Sequence, residues 1–336
     1  MDRREKIICK CNLGGKGLEI GPSISPVVPK KDGFDIEIIN HTDKKGLIDK
    51  YTAQGLDTCN IEEVDYVWTG ESYAELTGKR SYYDYIIASH VIEHTCDLIV
   101  FLCECSEILK ENGILSLAIP DKRYCFDYLR PATSVSKVLD RHINSSAVHS
   151  PGSVYEHYSS VCCSDGAISW DSHPPREINA FHEIKEAVDM YNDAVSQEKY
   201  IDVHSWVFTK SSFELLIYDL NCLDLIDLVV TESFGAEEKE FFISLMKRNE
   251  PFKASTNERL KLAINAKKEL EPTEPNEYYA ATITELNAAL NRQNEEINRL
   301  KQQIIDIYDS KTYKTGDKIR KVYRLIKPEK PDRRGE

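Results

Sequence analysis

The chain has 336 residues, 41% of them hydrophobic and 29% charged, a globular composition long enough for about two folding units. It contains no run of about 18 apolar residues, which argues against a transmembrane helix, and its charged first residues, 1–6, are unlike a secretory signal peptide. The net charge of -13 argues against a general nucleic-acid-binding protein. Ten cysteines without a C-x-x-C pair are typical of free thiols, so we expect a cytoplasmic protein.

The first 250 residues or so alternate between strand-like and helix-like patterns. Strands are predicted at 17–21, 34–39, 64–68, 83–88 and 114–119, and helices at 44–54 and from an N-cap at Asp97 to Asn112-Gly113. This alternation predicts an α/β fold, a doubly wound and mostly parallel Rossmann-like sheet.

The end of this part of the chain predicts an antiparallel closing hairpin. Strands at 225–231 and 240–246 follow a predicted helix at 211–220. The domain is therefore expected to span residues 1–248. Residues 130–201 are less regular and rich in histidine, which predicts an insertion or cap over the sheet.

Past residue 248 the composition changes. We expect a linker with a helical piece at 249–276, a coiled coil at 277–308 and a basic tail at 309–336. The coiled coil is predicted from apolar residues in strict 3-4 alternation, interrupted only by Gln293: Ile283, Leu286, Leu290, Ile297, Leu300, Ile304 and Ile307. The stripe favours a homo-oligomer, and an amphipathic helix that lies against its own domain is the alternative.

The basic tail carries ten Lys or Arg and five Asp or Glu between residues 309 and 336. Aromatic and aliphatic residues are interleaved with the cations, a composition suited to the surface of an anionic membrane. We therefore expect peripheral contact with the inner face of the membrane, and no nucleic-acid partner. A solvated end without a function is the alternative.

Open parallel sheets bind ligands at the carboxyl ends of their strands. After the first strand the sequence reads Glu19-Ile20-Gly21-Pro22-Ser23. Gly21 allows a ligand to approach the backbone closely, but the dinucleotide fingerprint G-x-G-x-x-G is absent.

A more specific signal comes from four segments taken together: 18–22, 83–94, 109–113 and 115–120. They resemble a class I S-adenosylmethionine-dependent methyltransferase over residues 15–248. Segments 121–127 and 200–209 resemble a bacterial branch often linked with surface-polysaccharide synthesis.

The resemblance implies S-adenosylmethionine as cofactor and a place for it. Glu19, Gly21 and Pro22 would lie beside its methionine moiety, and Ser89 and His90 would line the mouth shared with the acceptor. An acid is expected at the end of the second strand to accept from the ribose hydroxyls. Asn40 stands there instead, with Asp43 as a substitute.

Methyl transfer requires an acceptor aligned with the methyl group and, for a hydroxyl acceptor, a nearby base. The candidates for this role are His94, Asp121 and His204, with His90 as a further one. Trp206 lies beside His204 in the sequence and is a candidate for stacking on a sugar ring. We therefore expect methyl transfer to a hydroxyl of a glycan or another hydroxylated acceptor.

Two other readings stay open. A methyltransferase-like scaffold that has lost activity and oligomerises through its coiled coil would account for Asn40. His90-Val91-Ile92-Glu93-His94 also spells H-x-x-E-H, a zinc peptidase motif. That motif directly follows a strand instead of lying inside a long helix, so we expect no metal site.

Overall fold

The computed structural model describes residues 1–144, 146–171, 175, 177–196, 199–237, 239–271, 277–309 and 311–326. The chain forms two units, Met1–Pro272 and Thr273–Glu336. The first holds the sheet, and the second holds two helices.

The strands are β1 (Gly17–Ile20), β2 (Ile36–Asn40), β3 (Tyr66–Val67), β4 (Tyr83–Ser89), β5 (Leu109–Pro120), β6 (Cys162–Cys163), β7 (Asn179–Ala180), β8 (Leu228–Glu237) and β9 (Glu240–Lys247). The helices are α1 (Arg3–Ile8), α2 (Lys44–Ala53), α3 (Tyr73–Thr77), α4 (Leu98–Ile108), α5 (Val135–Ile143), α6 (Pro151–Ser160), α7 (Ile184–Ser196), α8 (Lys210–Cys222), α9 (Thr256–Leu270), α10 (Glu277–Asp309) and α11 (Lys311–Ile326).

The predicted fold class is confirmed. Seven strands form one sheet in the order β3-β2-β1-β4-β5-β9-β8. β1 to β5 are parallel, and β9 runs antiparallel to both β5 and β8. The order of the parallel strands is that of a doubly wound sheet, with the switch between β1 and β4, and the closing hairpin is β8–β9.

Both faces of the sheet are covered, which explains why its central strands read as continuous apolar runs. One core lies around α4 and α8 and includes Leu18, Ile86 and Leu117. The other includes Ile7 of α1 with Ile36 and Ile87. Alternate side chains of β4 therefore enter different cores, so both sides of the strand are apolar.

One predicted boundary is wrong. The helix that begins after Asp97 was expected to run to Asn112-Gly113, but α4 ends at Ile108. Leu109 has extended backbone angles and pairs with Tyr83 of β4. Asn112 adopts a left-handed conformation with φ of 60°, in a part of β5 where the register with β4 shifts, so the Asn-Gly signal marks a bulge.

The first unit extends beyond the predicted limit at residue 248, to Pro272. Within the expected linker, α9 packs against α8. Arg259 of α9 donates to both carboxylate oxygens of Asp219, at 2.6 and 2.9 Å. Glu269 accepts from Arg123 at 3.0 Å and from the Ser211 amide at 2.7 Å. The polar composition of this segment predicted a linker, but its charged side chains form ion pairs and hydrogen bonds that hold α9 against the first unit.

Between β5 and α8 lie α5, α6, α7 and the small β6–β7 ladder. α6 and α7 pack on each other. The segment predicted to be an insertion or cap, 130–201, thus contains three helices and one short ladder in its described part.

In the second unit, α10 is a helix of 33 residues over the predicted coiled coil. Four described stripe residues, Leu290, Ile297, Leu300 and Ile304, are half-exposed. α11 covers much of the basic tail. Oligomerisation and membrane contact both stay predictions. No helix in the described ranges is long and apolar enough to cross a membrane.

We expect the stripe on α10 to drive self-association. Ile297→Lys with Ile304→Lys in the full-length chain should convert an oligomer to a monomer, because two charges would be buried in the seam. Gln302→Lys, off the stripe, is the control and should leave the oligomer intact. Light scattering that shows a monomeric parent protein at about ten micromolar would contradict the prediction.

Glu37 of β2 anchors a polar cluster. Its carboxylate contacts Lys79 at 2.5 Å, the Tyr83 hydroxyl at 2.5 Å and Lys16 at 3.2 Å. Burial alone would raise the pKa of Glu37, but hydrogen bonds from Lys79, Tyr83 and Lys16 outweigh it and lower the pKa to about 2. The ionised side chain therefore stabilises the fold.

We expect Glu37→Gln to lower the free energy of unfolding at neutral pH by roughly 1–3 kcal/mol. Because the pKa of Glu37 is lower in the folded protein than the value of 4.5 in the unfolded chain, its ionised form stabilises the fold at pH values above 4.5. The difference in stability between the parent and the variant should therefore shrink as the pH falls from 4.5 towards 2. Denaturant titrations at several pH values measure it. Glu63→Gln, at a carboxylate 76% exposed, is the control. A loss independent of pH would contradict the assignment.

Candidate active site

The strand order reverses between β1 and β4, and a doubly wound sheet forms its crevice at the carboxyl edge beside such a switch. Ile20 pairs with Ile39 on one side and with Ala88 on the other. The loops that follow β1, β2 and β4 therefore begin at the same level. This is where a doubly wound sheet binds its ligands.

The backbone around the crevice is held in unusual conformations. Gly21 has a φ of 66°, Ser23 of 49° and His90 of 54°, all in the left-handed region that non-glycine residues rarely adopt. A Cβ added at Gly21 would lie 3.2 Å from Cγ2 of Val91. The loops after β1 and β4 thus approach each other closely, and a side chain at Gly21 would strain the backbone as well as narrow the crevice.

Glu19 supports the loop after β1 by hydrogen bonds to its backbone. It is buried, and its carboxylate accepts from the backbone amides of Val27 at 2.7 Å and Val28 at 3.3 Å. Burial raises the pKa of Glu19 to about 7, against the opposing effect of those two hydrogen bonds. Both oxygens are engaged with the protein, so the structure favours a positioning role for Glu19 over the predicted cofactor contact. Pro22 lies in the same loop and accepts from the Ser25 amide at 3.0 Å.

Asn40, at the end of β2, carries an unpaired donor. Its side chain is 4% exposed; Oδ1 accepts from the His41 amide at 2.9 Å, and Nδ2 has no partner. An unsatisfied buried amide is costly. Gly21 donates to the carbonyl of Ile39 at 2.8 Å, which places Asn40 directly beside the loop after β1. Asp43 instead caps α2 by accepting from the Gly46 amide at 2.8 Å.

Trp68 was not among the predicted site residues. It follows β3, donates its backbone amide to the Asn40 carbonyl at 2.8 Å, and is 42% exposed. Its indole nitrogen donates to the Glu71 carbonyl at 2.7 Å, which fixes the ring. An exposed, fixed aromatic ring beside Asn40 provides a stacking surface for a planar base.

Ser89 and His90 are tied to a charged cluster at the same edge. Arg3 donates to the Ser89 hydroxyl at 2.8 Å and pairs with Glu240 at 2.5 Å, and His90 Nε2 lies 2.9 Å from the same carboxylate. Burial alone would raise the pKa of Glu240, but the hydrogen bonds from His90 and Arg3 lower it to about 2. The cluster holds the mouth of the crevice in place.

Next along the chain, three chemically active side chains meet. Glu93 is 1% exposed and neither carboxylate oxygen has a hydrogen-bond partner. His94 Nε2 lies 3.9 Å from Glu93 Oε1, and the rings of His94 and His204 are perpendicular with centroids 4.7 Å apart. The backbone joins the two segments, since the Ser205 amide donates to the Glu93 carbonyl at 2.8 Å.

Each of these histidines has a carboxylate on its Nδ1. Asp202 lies 2.8 Å from His94, and Asp127 lies 2.6 Å from His204. Burial alone would lower the pKa of His94, but the Asp202 hydrogen bond and nearby carboxylates raise it. Burial alone would raise the pKa of Asp127, but His204 and Arg130 lower it to about 2. Both carboxylates are therefore ionised and orient the two rings.

Two further histidines between β5 and α8 remain neutral. Burial lowers the pKa of His149 to about 4, assisted by the charge of His94, and that of His157 to about 3, assisted by Arg130. Trp206 is buried and donates its indole nitrogen to the Thr95 carbonyl at 2.7 Å. Its proposed stacking on a sugar is therefore wrong.

Asp121 is separated from this group by its own partner. It is 0% exposed, and both its oxygens accept from the Arg123 guanidinium, at 2.9 and 2.7 Å. No hydrogen bond in the described ranges joins Asp121 to His94 or His204. The structure favours a structural role and does not support the predicted role as a base.

The structure thus brings His94 and His204 together and places Gly21, Asn40, Ser89 and His90 at one edge. Sequence reasoning missed Glu93, Asp127 and Asp202 as partners of the histidines. The H-x-x-E-H motif contained Glu93, but nothing in the sequence indicated that this carboxylate is buried without a hydrogen-bond donor.

No family model matches the sequence, and no curated protein matches it significantly. The solved structures that it resembles include an S-adenosylmethionine-dependent methyltransferase from Aquifex aeolicus, at 12% identity and a TM-score of 0.37, covering 73% of this chain and 90% of that one. A second, from Thermotoga maritima, has 12% identity and a TM-score of 0.32, covering 73% and 87%. A third is the CurJ carbon methyltransferase, at 13% identity and a TM-score of 0.32, covering 70% of this chain and 49% of the other. At these values the functional proposal depends on the geometry of the site.

We expect Asp121→Asn to destabilise the fold by roughly 1–3 kcal/mol, since it weakens a buried charge pair with Arg123. Denaturant titration measures this loss. Asp224→Asn, at an exposed carboxylate that pairs with Arg248 at 2.9 Å, is the control and should change stability little. Unchanged stability of the Asp121 variant would restore the prediction that its carboxylate is available for chemistry.

Proposed function

We propose that the protein transfers a methyl group from S-adenosylmethionine to a hydroxyl of its acceptor. The observation that carries the proposal is the unpaired side-chain amide of Asn40, at the end of β2, beside the left-handed turn at Gly21 that follows β1. The resemblance in the sequence supports it independently.

The residues present fit such a cofactor. Asn40 Nδ2 is free to donate to a ribose hydroxyl, and Trp68 offers a ring to the adenine. Gly21 leaves room where the backbone of one loop comes close to Val91 of the next. When bound, S-adenosylmethionine supplies a sulfonium methyl group, which the acceptor oxygen takes as a carbon–oxygen bond forms and the carbon–sulfur bond breaks with its electron pair left on sulfur.

The protein's own residues then orient the acceptor and receive its proton. His94 and Glu93 lie only a few residues past the end of β4, in the loop that begins at this edge of the sheet. A hydroxyl held there would face an imidazole oriented by Asp202 and a buried carboxylate without donors. Either can take the hydroxyl proton, the role that general-base catalysis requires.

A glycan acceptor accords with the branch that segments 121–127 and 200–209 resemble. The alternative is a methyltransferase-like scaffold without activity. It is suggested by Asn40, which stands where an acidic residue is expected. Cofactor binding separates the two, and a screen of product masses against hydroxylated acceptors identifies the substrate.

We expect S-adenosylmethionine and its demethylated product to bind with micromolar affinity in isothermal titration. Asn40→Leu should weaken binding about tenfold or more, because one hydrogen bond to a buried group is lost. Asn40→Asp should bind at least as well as the parent, since a carboxylate accepts from both ribose hydroxyls.

Asn60→Leu is the matched control, at an exposed asparagine that accepts from Lys31 at 2.7 Å. It should leave the affinity unchanged. Absence of binding up to about millimolar concentrations would favour the scaffold. Equal binding by the parent and Asn40→Leu would show that the ribose does not contact Asn40.

A further inference from the structure

Beside the end of β4, Glu93, His94 and His204 present one ligand atom each, and these atoms lie within 4.8 Å of one another. We propose that they form a binding site for Zn²⁺ or a similar divalent transition metal. Two imidazoles and one carboxylate are the protein ligands of many zinc sites that keep a coordination position open.

Glu93 is buried without the partners that a carboxylate needs. Its carboxylate is 1% exposed, yet neither oxygen accepts a hydrogen bond. Burying an unpaired charge is expensive unless a cation compensates it. Two imidazole nitrogens lie near its Oε1, His90 Nδ1 at 3.5 Å and His94 Nε2 at 3.9 Å. A metal between Glu93 and the histidines would satisfy this carboxylate.

The histidines are also prepared as ligands. A metal-binding histidine usually gives its other ring nitrogen to a carboxylate, which fixes the orientation of the ring. Asp202 on His94 Nδ1 and Asp127 on His204 Nδ1 do this at 2.8 and 2.6 Å. Each pair leaves Nε2 available. Ligand atoms that share one zinc ion lie at most about 4 Å apart, so a small rotation of partly exposed His94 completes the set.

The site differs from the zinc peptidase motif in the same segment. His90 is bound through Nε2 to Glu240 at 2.9 Å, whereas the second imidazole of the site is that of His204, which lies outside the motif in the sequence. In the metal-loaded protein Glu93 and His94 would serve as ligands instead of accepting the hydroxyl proton. The metal would bind the acceptor hydroxyl at its open position and lower the pKa of that hydroxyl, so that its proton can leave to water. That catalytic role depends on the proposed methyl transfer; the binding of the metal does not.

Metal binding is tested on the full-length protein after chelator treatment, without S-adenosylmethionine. Co²⁺, a spectroscopic substitute for Zn²⁺, should bind at one equivalent with the absorption of a nitrogen and oxygen site. Thiolate ligation adds a distinct charge-transfer band, an essential distinction because all ten cysteines are free. Zn²⁺ affinity is then measured by competition with a chelator.

Glu93→Gln and His204→Gln should each lower the affinity at least tenfold, and Asp202→Asn should lower it about 10- to 100-fold through the lost orientation of His94. Circular dichroism checks that the variants are folded. His142→Gln, which removes a histidine paired with Asp97 at 2.9 Å outside the cluster, should leave the affinity unchanged.

Absence of binding by Co²⁺ and Zn²⁺, a thiolate band, or full affinity in folded Glu93→Gln would each overturn the proposal. Because S-adenosylmethionine binding is measured separately on metal-free protein, failure of the methyltransferase proposal would leave this result standing, and the reverse also holds.

Discussion

The parallel pairing of β1 between β2 and β4 is the constraint on which the site depends. Ile20 is in register with Ile39 and Ala88, so the three loops beyond these residues begin together. Gly21, Asn40 and Ser89 are the next residues along their strands. A slip of one residue in either pairing would turn alternate side chains to the other face and dismantle the crevice.

Polar groups buried at this edge fall into two classes. Glu19, Asp121 and Glu240 are fully engaged with backbone amides or guanidinium groups, and they hold loops in place. Asn40 and Glu93 are buried with polar atoms unpaired. Proteins satisfy nearly all buried polar groups. Among the unpaired ones, Asn40 ends β2 and Glu93 closely follows β4, so these two are our candidates for contact with a ligand.

The sequence predicted the strands well where apolar runs are long, as in β4. It also predicted the hairpin β8–β9, because two strand-like segments follow each other without a helix between them at the end of the strand–helix alternation. It misplaced the start of β5 because the Asn112-Gly113 signal of a helix end also describes a bulge. It also missed α9 as part of the body, since the ion pair of Arg259 with Asp219 crosses 40 residues of chain.

Site residues show the same limit. Asn40, Ser89 and His90 could be predicted because each ends or directly follows a strand, and the topology alone brings the carboxyl ends of parallel strands to one edge. The pairing of His94 with His204 could not, since a long, irregular stretch of sequence separates them. Asp121 misled because a carboxylate after a strand suits a base, and only the structure shows Arg123 covering both oxygens.

The account is tested most directly by a crystal structure with the demethylated cofactor, S-adenosylhomocysteine. It predicts the adenosine in the crevice between β1 and β4, with a ribose hydroxyl about 3 Å from the Asn40 side-chain amide. It also predicts the sulfur on the side of the crevice towards Glu93 and His94. Adenosine bound elsewhere, or Asn40 without contact to the ribose, would contradict it.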